Sequence, residues 1–344
     1  MIPAHNEEIN IAKTIESVLS QTRPPDLIVV IANGCTDKTV KIAKKYKVKV
    51  LDLSSLKHRK AEALNIGWKK YCKDACIVVC MDADTTLARN ALQDWERELT
   101  DKTLAGSSSK FTILNPKGIL ARLQKAEYSA WIDISLKKKT THVLSGTGCA
   151  LRNSALKEIA FKDGPWSYVS QVEDFELTYR LKNAGFRVQV SPTVRAFTDS
   201  MLTIKSLWRQ RMKWQVGTLE DLLSFGFNKF TRGMWLSQLM NLVGLLLTIL
   251  WAVITTITVY IGYWKWNPYW LALPVLVSLL NLKNALRIPF RDKKDIMLAL
   301  SVIPNELYVL SRQILAITAW KEVILSRVTK KRKDRWAIQY KKEE

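Results

Sequence analysis

The chain has 344 residues, and its 53 Lys and Arg against 31 Asp and Glu give a formal net charge of +22. Its mean hydropathy of -0.05 is close to neutral although 24% of the residues are charged, so the apolar residues must be concentrated in separate segments. With 48% hydrophobic residues and only five Cys, the chain is neither a disordered polyelectrolyte nor a small disulfide scaffold. The positive charge leaves nucleic acid and anionic membrane surfaces as classes of partner.

The part of the chain before residue 233 has the pattern of an α/β domain, because apolar runs typical of strands alternate with runs typical of helices. The strand-like runs are 27–32, 48–53 and 75–81, and the helix-like runs are 10–21, 38–46 and 60–71. This alternation predicts a parallel sheet with crossover helices.

The beginning of the chain is polar. Only Met1 and Ile2 precede the motif PAHNEE, which leaves little chain for a strand before it. No basic region followed by an apolar region opens the chain, as it would in a cleavable signal peptide. We therefore expect the α/β domain to lie on the cytoplasmic side of a membrane.

Two runs without charged residues follow the α/β domain. The first extends from Gly233 to Trp264, which exceeds the about 20 residues that a helix needs to cross a bilayer. The second, from Trp266 to Leu282, is marginal in length, and Pro274 inside it is a site for a kink. The predicted spans are about 236–262 and 266–283.

A third apolar stretch, 295–320, is interrupted by Pro304 and Arg312, so we expect interfacial or re-entrant helices there rather than a clean span. The positive-inside rule places the basic linker 283–295 and the basic tail 330–336 in the cytoplasm, which requires an even number of crossings between them. The protein is thus predicted to be a multi-pass protein of the cell membrane. The predicted regions are an α/β domain at 1–200, amphipathic interfacial helices at 201–232, a membrane region at 233–320 and a basic cytoplasmic tail at 321–344.

The triplet Asp82-Ala83-Asp84 follows directly on the apolar strand IVVCM. The carboxyl ends of strands are where α/β folds bind ligands. Two carboxylates at this spacing suit Mg²⁺ or Mn²⁺ bound to a diphosphate, because these cations prefer oxygen ligands. A lone triplet of this kind is common, and the alternative is a polar turn without a ligand.

Two further polar motifs are expected at the same edge of the sheet. PAHNEE places Glu7 and Glu8 at the predicted start of a helix, and NGCTD places Asp37 after another strand. The alternative interpretation for each is a turn followed by a helix N-terminus that favours acidic residues.

A basic residue and a small-residue loop add to this edge. Lys60 lies at a predicted helix start, where it could neutralise a phosphate, although a solvated lysine is the simpler alternative. The loop SGTGCALR at 145–152 contains two Gly residues, which allow the backbone to approach a ligand closely.

Glu173 and Asp174 open a later predicted helix. An acid pair at this position serves either as a helix cap or as a general base that deprotonates an alcohol. The segment 203–226 is amphipathic, basic and rich in Trp, and it lies immediately before the first predicted span. Such a helix suits a membrane surface.

In their order along the chain, these motifs resemble those of the family 2 membrane glycosyltransferases with a GT-A fold, which include hyaluronan, cellulose and poly-N-acetylglucosamine synthases. The resemblance implies a Rossmann-like mixed sheet with flanking helices, followed by interfacial and transmembrane helices. It also implies an inverting hexosyltransferase that depends on Mg²⁺ or Mn²⁺. The sugar, which we predict to be GlcNAc, would pass from a UDP-sugar to a hydroxyl of a growing polysaccharide or glycan.

The resemblance also implies a role for each motif. Asp174 would be the catalytic base with Glu173 beside it, and Asp84 would be the direct metal ligand with Asp82. The donor would be bound by Pro3, Ala4, Asn6, Glu7, Asp37, Lys60, Asp82, Lys213 and Arg211. The acceptor would be bound by Gly146, Thr147, Gly148, Gln210 and Trp214.

The chain departs from the family pattern at three positions. Asn33 stands where the family has an acid, Arg59 where it has Gly, and Lys213 where it has Arg. Lys213 keeps the positive charge but loses the bidentate fork of Arg, which would weaken or displace pyrophosphate binding. Arg211 is the neighbouring alternative.

Two other functions remain open from the sequence, and a third is disfavoured. One is a non-processive transferase that adds a single sugar to a lipid or protein acceptor, and another is an inactive membrane scaffold without the first strand. Nucleic-acid binding is disfavoured, because the positive charge clusters beside the apolar segments and no nucleic-acid-binding motif is present. Two spans are few for a polymer channel, so a translocated product would need a partner protein or a second copy of the chain, in addition to membrane lipids.

Overall fold

The structure is a computed structural model that describes residues 1–265 and 267–340. Trp266, at the start of the second predicted span, lies outside the described residues, as does the end of the predicted tail at 341–344. The chain forms two compact units, one of residues 1–115 and 128–200 and the other of residues 116–127 and 201–344. The strands of the described residues all belong to the first unit. The four predicted regions remain a prediction.

Three parallel strands form the first sheet. In spatial order they are β1 (Ile2–Ala4), β2 (Val29–Asn33) and β3 (Lys49–Leu53), and the helices between them are α1 (Ile11–Leu19) and α2 (Thr39–Ala43). The strand β2 is buried along its whole length, as expected for an apolar run between two parallel neighbours. The two strands predicted at 27–32 and 48–53 are therefore confirmed.

The first strand is short but well paired. Ile2 to Ala4 lie in parallel register with Val30 to Ala32. On the other side, the Met1 ammonium group donates to the Val79 carbonyl oxygen at 2.7 Å, within β4 (Ile77–Cys80). The expectation that little chain is left for this strand is corrected, because the motif PAHNEE itself supplies strand residues.

The second sheet is mixed, with the spatial order β4-β7-β6-β8-β5. Its further strands are β5 (Thr86–Leu87), β6 (Leu104–Thr112), β7 (Cys149–Arg152) and β8 (Arg187–Phe197). The strand β8 runs parallel to β6, whereas β7 is antiparallel to both β4 and β6. Two antiparallel steps restore the direction of β4, so the carboxyl ends of β4 and β8 lie at the same edge.

The remaining helices of the first unit cover these sheets. They are α3 (Arg59–Gly67), which continues into a π-helical turn at Trp68–Cys72, α4 (Ala91–Glu98), α6 (Asn153–Glu158) and α7 (Glu173–Asn183). A further helix, α5, extends over Gly118–Lys138. The helix α5 crosses from the second unit into the first at residue 128. A Cβ at Gly67 would lie 2.4 Å from Ile31 Cδ1, so α3 packs unusually close to β2. This close packing fixes the helix that carries Lys60.

The second unit consists of helices. They are α8 (Ile204–Phe225), α9 (Arg232–Tyr260), α10 (Ala272–Ala285), α11 (Lys293–Leu300), α12 (Val302–Thr329) and α13 (Arg335–Tyr340), with a short 3₁₀ turn at Pro268–Leu271. The apolar side chains of α8, which include Met212 and Val216, pack on Leu315 and Ala319 of α12. The apolar face of α8, which suits a membrane surface, is thus covered by α12.

Among the described residues, α9 is the helix whose length and apolar composition would allow it to cross a membrane. Most of its large apolar side chains, such as Leu247 and Trp251, are exposed. The helix α10 has 14 residues, and Pro274 lies in its first turn. A Pro in the first turn breaks no hydrogen bond within the helix, because the N–H groups there have no partner within it, and the kink at Pro274 remains a prediction.

The predicted interfacial stretch 295–320 contains two helices, α11 and α12, which are separated at Ser301. Pro304 lies in the first turn of α12, where it is tolerated, and α12 continues past the predicted end to Thr329. Arg312 does not interrupt α12 either. The interfacial or re-entrant placement of these helices remains a prediction.

Candidate active site

Charged side chains from distant parts of the first unit meet just past the end of β4. Lys60 Nζ lies 2.7 Å from Asp82 Oδ1 and 2.9 Å from Glu173 Oε1. The Asp82 N–H donates to the Gly146 carbonyl oxygen at 2.8 Å, and the Gly146 N–H donates to Asp174 Oδ2 at 3.4 Å. The structure therefore brings together four of the motifs that the sequence singles out.

The loop before β7 presents backbone rather than side chains to these carboxylates. A Cβ at Gly146 would lie 2.8 Å from Lys60 Nζ and 2.9 Å from Asp82 Oδ2, so only Gly fits without displacing the ion pair. Thr147 Oγ1 is 2.8 Å from Ser145 Oγ, and Gly148 has a φ of +140°. The expected close approach of backbone is present, while acceptor binding by Gly146, Thr147 and Gly148 remains a prediction.

The site carries an excess of negative charge. Burial of its carboxyl group, followed by the charge of Glu173, raises the pKa of Asp174 to about 6, although the nearby Lys60 ammonium acts in the opposite direction. Burial, followed by the charges of Asp82 and Asp199, raises the pKa of Asp84 to about 6. Burial lowers the pKa of Lys60, but the surrounding carboxylates outweigh it and hold that pKa well above its usual value.

The donor set next to β4 fits a hard divalent cation. Asp82 and Asp84 offer carboxylate oxygens, and a cation there would relieve the repulsion that raises the pKa of Asp84. Across residues 1–265 and 267–340, no group of three or more His, Cys, Asp or Glu side chains could hold a metal ion. Water and the phosphates of a bound substrate are the usual further ligands of such a cation.

The loops after β1 and β2 are interlocked. Asn6, whose φ is 57°, accepts a hydrogen bond from the Thr36 N–H at 2.8 Å. The Glu8 N–H donates to Asp37 Oδ2 at 3.0 Å, and the Thr39 N–H donates to Asp37 Oδ1 at 2.9 Å. Asp37 thus stabilises this pair of loops, and its contact with a nucleotide remains a prediction, as do those of Pro3, Ala4 and Asn6.

The helix after PAHNEE begins at Ile11, so the prediction that Glu7 and Glu8 start it is wrong. The reason is a turn in which the Asn10 and Ile11 N–H groups both donate to the Glu7 carbonyl oxygen. Burial, followed by the charge of Asp84, raises the pKa of Glu7 to about 7. Glu7 therefore belongs electrostatically to the same acidic site.

Asp199 is a contributor that the sequence analysis missed. It follows the end of β8, and its charge is close enough to raise the pKa of Asp84. The signal that identifies Asp82 and Asp84, an acid just past a strand end, applies equally to Asp199.

The motif QRMKW lies on α8 in the second unit. Arg211 Nη2 is 2.7 Å from Glu127 Oε2, and Arg211 Nη1 donates to Gln210 Oε1 at 2.5 Å. The Arg211 guanidinium carbon lies 4.3 Å from the centre of the Trp214 ring, and Lys213 Nζ lies 3.5 Å from the centre of the Trp336 ring. Arg211 would have to break a buried ion pair to bind pyrophosphate. The substrate contacts predicted for the four residues of the motif remain predictions.

Replacing Arg211 with Met is expected to lower the free energy of unfolding of the second unit by about 3 kcal/mol, because it removes a partner of the buried Glu127 carboxylate. Denaturation of the purified protein in detergent measures this change. The matched control is Arg232→Met, since Arg232 is exposed. A loss below about 1 kcal/mol for Arg211→Met would show that the ion pair is not stabilising.

The part of the chain that carries Asp82, Glu173 and Asp174 matches a known protein family. The family described as "Glycosyl transferase family group 2" matches residues 77–282, which is more than half of the chain. The chain belongs to the family 2 glycosyltransferases. This membership confirms the resemblance of the ordered motifs.

The glycosyltransferase is similar in sequence to staphylococcal polysaccharide synthases. It is 27% identical over 235 residues to poly-beta-1,6-N-acetyl-D-glucosamine synthase of Staphylococcus epidermidis. It is also 27% identical over 237 residues to the synthase of the same name from Staphylococcus aureus strain COL. Each match covers 65% of this chain and 55% of the relative, so the chain spans about half the length of the curated relatives it matches.

A solved structure shares the fold. It is a mannosyltransferase from Pyrobaculum calidifontis in complex with GDP-Man and Mn²⁺, with a TM-score of 0.54 and 17% identity to this glycosyltransferase. The match covers 94% of this chain and 85% of the mannosyltransferase. It confirms the expected GT-A fold, with a mixed sheet and flanking helices.

Proposed function

We propose that this glycosyltransferase moves GlcNAc from UDP-GlcNAc to a hydroxyl group of a growing glycan, with inversion at the anomeric carbon. The observation that carries the proposal is the meeting of Lys60, Asp82, Glu173 and Asp174 beside Gly146. The names of the staphylococcal relatives, which are poly-N-acetylglucosamine synthases, support the choice of sugar.

Asp174 is the proposed base. Its carboxylate accepts the proton of the acceptor hydroxyl, whose oxygen forms a bond to C1 of the sugar while the bond from C1 to the diphosphate oxygen breaks and UDP leaves. A pKa of about 6 leaves this carboxylate mostly ionised at neutral pH and a stronger base than an exposed Asp. The Phe175 N–H, which donates to Asp174 Oδ1 at 2.8 Å, and the Gly146 N–H orient the carboxylate.

Asp84 and Asp82 are the proposed ligands of Mg²⁺ or Mn²⁺. When bound, the cation neutralises the diphosphate of the leaving group. The Mn²⁺ of the mannosyltransferase with the same fold supports this role. Lys60 bridges Asp82 and Glu173, so it holds the metal-binding motif and the acid pair at a fixed separation. It also supplies positive charge near the donor diphosphate.

We place the enzyme in the cell membrane with its catalytic unit in the cytoplasm. The exposed apolar surface of α9 supports membrane insertion, and the basic residues that flank the apolar segments support this orientation. The multi-pass arrangement uses the segment around α10 as a second crossing. Membrane lipids are then direct partners, and export of a polymer would require a partner protein or a second copy.

The rate of transfer is expected to fall as the pH drops below about 6, by about tenfold per pH unit. The raised pKa of Asp174 means that its carboxyl group already holds a proton in this range and no longer accepts one from the acceptor. The measurement is kcat between pH 4.5 and 8 from UDP release, with circular dichroism as the control for folding. A kcat that is unchanged down to pH 5 would exclude a base of raised pKa.

A donor screen tests the proposed function. Membranes that contain the enzyme are incubated with UDP-GlcNAc, UDP-glucose or UDP-glucuronic acid, with and without Mn²⁺, and both UDP release and product size are measured. We expect UDP-GlcNAc to be the preferred donor, turnover to need the cation, and the product to exceed one added sugar. A product with one added sugar would indicate a non-processive transferase. No UDP release with any donor would support an inactive scaffold.

A further inference from the structure

Asn65, the last residue of the motif RKAEALN, pairs with the backbone of a distant residue. Its side chain is 1% exposed on α3. Asn65 Nδ2 donates to the Trp166 carbonyl oxygen at 2.8 Å, and the Trp166 N–H donates to Asn65 Oδ1 at 3.0 Å. One amide group therefore satisfies both backbone polar groups of a buried residue outside the helices and strands.

Gly164 allows this pairing. It has a φ of +136°, and a Cβ at this position would lie 2.3 Å from Asn65 Oδ1. No side chain at position 164 fits against α3 while the Asn65 amide keeps its place. The loop is therefore shaped to bring the Trp166 backbone to Asn65.

The rest of this loop is also fixed to elements of the site. The Tyr168 ring stacks on the His58 ring, with centroids 4.5 Å apart and an interplanar angle of 5°. Arg180 of α7 donates to the Pro165 carbonyl oxygen. Trp166 itself is 3% exposed and lines a small cavity together with Lys60 and Asp174. The segment 164–168, which we name the Trp166 loop, thus forms a wall of the catalytic site and leads directly to the acid pair.

We propose that Asn65 is a positioning residue for sugar transfer, which fixes the Trp166 loop and thereby the placement of Glu173 and Asp174 relative to Lys60. The inference rests on the proposed function in taking Asp174 as the base. Asn65 acts through the backbone of Trp166, so its loss should affect the catalytic step more than donor binding. A misplacement of reacting groups by about 1 Å can cost about 100-fold in rate.

The first test is Asn65→Asp, which keeps the shape of the side chain. One carboxylate oxygen can still accept from the Trp166 N–H, but the other faces the Trp166 carbonyl oxygen, where two acceptors repel each other. We expect kcat per folded enzyme to fall by about 10- to 100-fold and the donor KM to change by less than about threefold. An unchanged kcat would overturn the proposal.

Hydrogen exchange gives a readout that does not depend on turnover. In Asn65→Asp, amides of the peptide 161–174 should exchange at least about tenfold faster, while exchange in β6 and β8 stays unchanged. Unchanged exchange at 161–174 would overturn the inference even if the enzyme had no activity. Absence of turnover in the unsubstituted enzyme, with faster exchange in the variant, would instead count against the proposed function alone.

A second variant disturbs the same pair from the other side. Gly164→Ala should lower kcat as Asn65→Asp does, and the combined variant should lose no more than about twofold beyond the worse single variant. The matched control is Gly185→Ala, because Gly185 also has a positive φ, +91°, but has no atom within 4 Å of an added Cβ. Multiplicative losses in the combined variant, or an equal loss of kcat in Gly185→Ala, would overturn the proposal.

Discussion

Replacing Asp174 with Asn is expected to lower kcat by about 1,000-fold, because the amide cannot accept the proton of the acceptor hydroxyl. The amide has nearly the shape of the carboxylate, so UDP affinity should change by less than about threefold. Turnover is measured by UDP release and affinity by calorimetry. The contact between Lys60 and Glu173 should be retained in this variant, since it does not involve Asp174.

The matched control is Asp163→Asn, an exposed Asp whose ion pair with Lys69 lies at the surface, and it should leave kcat within about twofold. If Asp174→Asn kept more than a few per cent of the activity, Asp174 would not be the base. Glu173 would then be the next candidate, although its carboxylate is paired with Lys60.

Replacing Asp84 with Ala is expected to lower activity by at least about 100-fold at a fixed Mn²⁺ concentration, because a cation on the diphosphate would lose its direct protein ligand. The measurement is UDP release during a titration with Mn²⁺, which should shift to higher concentrations in the variant. Chelation by EDTA should stop turnover of the unsubstituted enzyme, and added Mn²⁺ should restore it.

The control for this variant is Asp52→Ala, because Asp52 is exposed on β3, in the other sheet. Its Mn²⁺ titration should match that of the unsubstituted enzyme. A titration of Asp84→Ala that matched it too, or turnover that persisted in EDTA, would rule out the cation as a participant.

Local pattern was sufficient for much of the first unit. The strands β3 and β4 lie within the predicted apolar runs, and β2 extends one residue beyond its run, to Asn33. The reason is clearest for β2, because a parallel strand that is buried along its whole length is continuous in its apolar character. The strand β1 could not be predicted in the same way. It has three residues, two of which belong to the polar motif PAHNEE, and pairing with β2 stabilises it rather than its own composition. Beside it, the Met1 ammonium group donates to the backbone of β4.

The candidate site likewise has residues that the sequence identifies and contacts that it does not. Acids placed just after strands, such as Asp82, could be identified because strand ends of one direction share an edge of the sheet. The pairing of Asn65 with Trp166 could not be identified, because the amide recognises backbone groups 101 positions away and leaves no trace in the side chain at position 166. Tertiary contacts of this kind carry no periodic signal.

The second unit contains an ion pair that the charge pattern alone does not predict. Arg211 lies in a basic, Trp-rich helix, and its guanidinium binds Glu127 from α5. The partner lies 84 residues earlier in the chain, so the ion pair is a product of folding rather than of local pattern. A buried basic residue is more often paired than available for a ligand.

The stereochemistry of transfer is the most direct test of sugar transfer by a single displacement at Asp174. Purified enzyme is supplied with Mn²⁺, an acceptor and UDP-GlcNAc that carries ¹³C at C1 of the sugar, and NMR follows the labelled carbon. We expect the α-linked donor to become a β-linked glycoside as UDP is released in equal amount. A product that retains the α configuration, or no new glycosidic bond at all, would contradict direct displacement at this site.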